Sequence, residues 1–152
     1  MRLIVAAALV AALPLAAASQ DDDPKALALK ARQGYFQMLN ANMGILAGMA
    51  KGEIAYEENQ AVRAATNIEA LTGYDPSMHF LEGTSASDLS GRTAARPEIW
   101  TDNAGFLDKY AGLQKAVEGA PDAVRGGQAN VAATVQKIGT ACKACHDNYR
   151  VK

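Results

Sequence analysis

The sequence is poor in the features that mark several protein classes. Two cysteines in 152 residues are too few to staple a secreted scaffold through disulfides. Neither sign of charge dominates, since 15 Lys and Arg stand against 16 Asp and Glu, a formal net charge of −1. That balance provides no basic excess for a nucleic-acid backbone or an anionic membrane surface. Aromatic residues make up 6% of the chain, and glycine and proline follow no repeating pattern, which excludes collagen and low-complexity disorder. No stretch alternates apolar and polar residues as a half-buried strand does. What is there is a 49% apolar, alanine-rich chain of single-domain length.

The one long apolar run stands at the N-terminus. Met1-Arg2 precedes Leu3 to Leu13, then Pro14 and the small residues Ala16-Ala17-Ala18-Ser19. A short basic start, an apolar middle and an A-x-A site identify residues 1–19 as a cleavable signal peptide, leaving residues 20–152 as the mature domain. Gln20-Asp21-Asp22-Asp23 follows at once, which argues against a retained membrane anchor. The expectation is a mildly acidic soluble domain, exported to the periplasm.

Beyond Asp23-Pro24, a capping residue followed by a helix-starting proline, apolar residues recur at three- and four-residue steps. Leu29, Tyr35, Phe36, Leu39, Met43, Leu46 and Ala50 form such a stripe, closed by Gly52. A second helix is predicted from Tyr56 to Thr72, with Ala61, Ala65, Ile68 and Leu71 on one face and Gly73 as its stop. Residues 73–97 break the rhythm with Gly73, Pro76, Gly83, Gly91 and Pro97, so a long loop is expected. Periodicity resumes at Ile99-Trp100 and runs to Val117 before Gly119-Ala120-Pro121. A last helix starts after Gly126-Gly127 and carries Val131, Val135, Ile138, Cys142, Cys145 and Tyr149 on one face. The pattern predicts an all-α fold, an antiparallel four-helix bundle, which builds cofactor sites between its helices.

Cys142-Lys143-Ala144-Cys145-His146 is a C-x-x-C-H motif, the attachment signature of c-type haem. Two thiols three residues apart reach the two vinyl groups of one porphyrin edge, and the adjacent imidazole then comes under the iron. Export supports this reading, because covalent haem attachment in bacteria belongs outside the cytoplasm. A thioredoxin-like dithiol would sit at a helix N-terminus beside a βαβ pattern, and a zinc site would need a fourth ligand that only the distant His79 offers. On the opposite face of the iron, Met38, Met43, Met49, Met78 and His79 are nominal ligands. A methionine on an apolar stripe is more often packing than ligand.

The chain resembles the cytochrome c′ family, the four-helix class of c-type cytochromes whose haem motif lies near the C-terminus. Besides C-x-x-C-H, the resemblance rests on Ala31-Arg32-Gln33, the segment Gly44 to Gly52, Ala95-Arg96-Pro97-Glu98-Ile99-Trp100, and Tyr149-Arg150. It implies that Phe36, four residues after Arg32, faces the sixth coordination position. Phenylalanine cannot ligate, so the implied iron is five-coordinate and high-spin, held by His146. The resemblance further implies that Arg32 pairs with a haem propionate and that Arg150 lies near the proximal imidazole. Phe80 and Trp100 are expected to touch the porphyrin, while Phe106 and Tyr149 read as aromatic packing. Family members are commonly homodimers through their first two helices, where Gly44, Ala47 and Gly48 would permit close approach. The implied function is binding of nitric oxide or carbon monoxide without enzymatic turnover. The alternative is an electron carrier between periplasmic partners.

Overall fold

A computed structural model describes residues 23–152, so the signal peptide read at residues 1–19 lies outside the described residues. Helix α1 spans Pro24–Lys51; the Asp23 carboxylate accepts from the Lys25 amide at 3.1 Å, and Gly52, at φ 75°, ends it in the left-handed conformation. Helix α2 spans Glu58–Thr72, two residues later than its pattern suggested, because Glu57 caps it by accepting from the amides of Asn59 and Gln60. The third predicted helix is broken in two. α3 covers Glu98–Thr101 and α4 Asn103–Val117; Asp102 interrupts them with φ −127° and ψ 55° and turns its side chain to the Gly105 amide. A short turn, α5 (Ala120–Ala123), uses Pro121 near its start rather than as a stop, and α6 spans Gln128–Tyr149.

The four long helices α1, α2, α4 and α6 form the bundle, with α1 packed on α2 and α6, and α4 on α6 and α2. Two separate apolar clusters result. The larger is mainly aliphatic and includes Leu46, Met49, Ile68, Val117, Val131 and Ile138, all nearly or fully inaccessible. Burying each such side chain is worth about 1.5–3 kcal/mol. The smaller is aromatic, with Ile99, Phe106 and Tyr149 at its centre and Phe80, Trp100 and Cys145 packed against it.

The loop over residues 73–97 is a built wall with a 3₁₀ turn at Pro76–His79. Its far end pairs with the end of α6 through a β-bridge between Ala95 and Arg150; the Arg96 amide donates to the Tyr149 carbonyl and the Val151 amide to the Ala94 carbonyl. One expectation changes here. Gly48 does not offer an outer surface for a second subunit, because it is buried under Ile54, whose Cδ1 would lie 2.6 Å from an added Cβ.

Candidate cofactor site

Between the two clusters lies a cavity of about 590 Å³, bounded by α1, the loop, α4 and α6. Leu39 and Leu113 close it on the aliphatic side, Ile99 and Tyr149 on the aromatic side. α6 presents Cys142, Cys145 and His146 to it from consecutive turns. The two thiols are free and half-buried. Burial pushes both above the ordinary thiol range, with the neighbouring Cys142 adding to the effect on Cys145. They are therefore protonated at neutral pH, the opposite of the depressed thiolate that a redox C-x-x-C motif needs. Loss of hydration at the wall, reinforced by the Arg150 guanidinium, moves the His146 imidazole pKa down, so it is neutral and ligand-ready at pH 7.

Of the other predicted site residues, Arg32, Phe36, Phe80 and Arg150 also line the cavity. Trp100 does not. It stands behind Phe80, donating its indole N–H to the Phe80 carbonyl at 2.8 Å, so it holds the wall instead of forming it. Among the methionines, Met43 is on the wall, Met49 is sealed in the aliphatic cluster, and Met38 and Met78 are exposed. His79 is turned away from the cavity, stacked on Tyr74.

Arg32 is 3% exposed. Its guanidinium donates to Thr84 Oγ1 at 2.7 Å, the Thr84 carbonyl at 2.6 Å and Thr93 Oγ1 at 2.9 Å, and it lies 4.9 Å above the centre of the Phe80 ring. No carboxylate among the described residues pairs with it. A buried cation with neutral partners beside a cavity is a place for an anionic group of a ligand. No sequence pattern marks this clamp, because Thr84 and Thr93 sit in the stretch without periodicity. Nor does any pattern indicate that Tyr110 on the wall meets Tyr35 at 2.7 Å between hydroxyls.

An apolar slot, a C-x-x-C-H face and an uncompensated buried arginine suit a flat, apolar macrocycle with acidic side groups. Such a slot inside a helix bundle defines a bundle-type c-type cytochrome. The comparisons narrow the class. Residues 27–150 match the family described as Cytochrome C'. Cytochrome c' of Cereibacter sphaeroides is 43% identical over 152 residues, covering 100% of this chain and 99% of the relative. The structure of cytochrome c' from Rhodobacter spheriodes aligns with TM-score 0.79 and 43% identity over 84% of this chain and 98% of that one. A nitric oxide complex of a mutant of cytochrome c prime from Alcaligenes xylosoxidans aligns with TM-score 0.68 and 31% identity, over 85% and 97%. The chain belongs to the cytochrome c′ family, whose members bind haem c.

Proposed function

We propose that residues 1–19 direct export to the periplasm and that residues 20–152 hold one haem c whose iron binds nitric oxide or carbon monoxide. When bound, the haem supplies an iron centre that changes oxidation state and accepts diatomic gases. The Cys142 and Cys145 thiols would hold the haem covalently, each by addition across a vinyl group, sulfur to one carbon and hydrogen to the other. His146 gives its neutral imidazole to one face of the iron. Arg32 offers its charge to a propionate, and Arg150 screens the histidine side.

The observation that carries this reading is Phe36 on the cavity wall, in company with Leu39. Neither side chain can ligate or donate a hydrogen bond, so that face favours small neutral gases over water. Two polar groups of the lining are engaged elsewhere: the Gln33 amide donates to the Arg92 carbonyl at 2.6 Å and the Tyr110 hydroxyl to the Tyr74 carbonyl at 2.6 Å. The nitric oxide complex of the Alcaligenes relative supports the same reading. Pairing of two copies through α1 and α2 is part of the proposal, with Gly44 rather than Gly48 open to a partner.

A second reading, an electron carrier serving a periplasmic redox partner, is favoured by Met43, whose thioether lies on the same wall. Visible spectra in the ferric, ferrous and carbon-monoxide-treated ferrous states decide between them. Gas binding requires high-spin bands that change on adding carbon monoxide, and a shift toward low spin in Phe36→Met. Low-spin bands indifferent to carbon monoxide, converted to high spin by Met43→Leu, would establish the electron carrier instead.

A further inference from the structure

One side of the cavity leads to the surface through aromatic rings. Phe36 on the wall meets Tyr35 edge to face, with centroids 5.0 Å apart, and the Tyr35 ring lies 6.0 Å from that of Tyr74. Tyr110, also on the wall, joins the same group through its hydroxyl contact with Tyr35. Tyr74 is 44% exposed. Its hydroxyl is 2.5 Å from Nε2 of His79, whose ring stacks on it at 5.8 Å, and 3.5 Å from the Met78 sulfur.

The destinations of the phenolic protons separate these tyrosines. Tyr35 donates to Tyr110, and Tyr110 donates to the Tyr74 carbonyl. A phenol oxygen and an amide carbonyl are both very weak bases, and burial keeps the Tyr35 phenol far above its ordinary pKa. Tyr74 alone of the three faces a base: its hydroxyl lies in hydrogen-bond contact with His79 Nε2, which accepts the Tyr74 O–H in the tautomer that carries its proton on Nδ1. Removing an electron from a phenol makes its proton strongly acidic. Of these three phenols, the one with a base already in hydrogen-bond contact is therefore the easiest to oxidise.

We propose that Tyr74 is a redox-active tyrosine, giving an electron through Tyr35 toward the haem cavity and its proton to His79. The proposal rests on the haem reading of the cavity and adds a second activity, discharge of oxidising equivalents to the protein surface. With a peroxide as oxidant and iron initially ferrous, the peroxide O–O bond breaks and two water molecules form. One electron comes from iron, which becomes ferric, and one from Tyr74; two protons come from solvent. The Tyr74 proton passes to His79, leaving a neutral tyrosyl radical at an exposed position, where two such radicals couple or an external reductant quenches one.

The test mixes ferrous holoprotein with hydrogen peroxide, freezes it and reads the electron paramagnetic resonance spectrum. Digests of parallel samples are searched by mass spectrometry for dityrosine at position 74. A tyrosyl signal is expected in the native chain. It is lost in Tyr74→Phe, weakened in His79→Gln, which keeps a hydrogen-bonding side chain but no base, and kept in Tyr56→Phe. Tyr56 serves as the control because its hydroxyl also meets a base, the Glu58 carboxylate at 3.3 Å, besides the Val124 carbonyl at 3.2 Å, but it lies beside the aliphatic cluster, outside the chain of rings that leads to the cavity. A native holoprotein with no tyrosyl signal, or a signal unchanged in Tyr74→Phe or in His79→Gln, would overturn the proposal. Failure of the haem reading is recognised separately, by the absence of a haem spectrum before peroxide is added.

Discussion

Around Leu46, Ile68, Val131 and Ile138, aliphatic side chains from α1, α2 and α6 interlock by shape, and small alanines such as Ala61 and Ala65 let the helices approach. Around Ile99, Phe106 and Tyr149 the rings are oriented by directed bonds: Trp100 to the Phe80 carbonyl, Tyr149 to Asp102 at 2.6 Å, Arg32 to Thr84 and Thr93. The first arrangement yields cohesion that many apolar substitutes would preserve. The second fixes positions, and its directed bonds hold the loop side of the cavity, while the aliphatic cluster closes the other side with Leu39 and Leu113. Stability and site geometry are thus assigned to different parts of one bundle.

Mutations at each end test that division. Leu46→Ala is expected to cost about 2–5 kcal/mol in urea unfolding, since it opens a void at a fully buried position, while the haem spectrum stays as it was. A changed spectrum would break the comparison. Arg32→Ala should cost about 1.5–3 kcal/mol by removing hydrogen bonds from a charged group, and unlike Leu46→Ala it should alter the carbon-monoxide spectrum because the loop wall is released. In the double variant the two costs should add to within about 0.5 kcal/mol, as expected of sites more than 7–10 Å apart on one helix. The smallest effect concerns Tyr149. Its hydrogen bond to the Asp102 carboxylate raises the phenol pKa from 10.0 to about 12. The raised value contributes stability that is fully present below pH 10 and is lost as pH rises toward 12. Asp102→Asn should return the phenol toward its ordinary value, read by ultraviolet titration of tyrosinate, with little change at neutral pH.

Helix periodicity exposed the aliphatic end almost residue by residue: Leu29, Tyr35, Leu39 and Leu46 in α1, and Val131 and Ile138 in α6, are buried where their spacing placed them. Such burial repeats with the helical turn and so leaves a trace in the chain. C-x-x-C-H was visible for a different reason, because its chemistry requires neighbours in sequence. The loop wall leaves no such trace. Arg32 finds Thr84 and Thr93 across 52 and 61 residues, and nothing local in either segment marks the pairing. Trp100, a ring expected to touch the porphyrin, stands one layer back from the cavity wall, its N–H donating to the Phe80 carbonyl, a placement that periodicity does not specify. Gly105 was equally silent. An added Cβ there would lie 2.4 Å from both the Asp102 carboxylate and the Tyr149 hydroxyl, so the absence of a side chain makes room for that bond.

The bridge between Ala95 and Arg150 also sets an order in time. It uses the Val151 amide and the Tyr149 carbonyl and joins them to a segment more than fifty residues earlier. Contacts of such long sequence separation are slow to close. The α1–α2 hairpin carries no such delay, because its two helices are neighbours in sequence. During that interval the segment bearing Cys142 and Cys145 has no strand to hold it against the loop. Closing the bridge fixes the end of α6, and with it His146, against the loop wall.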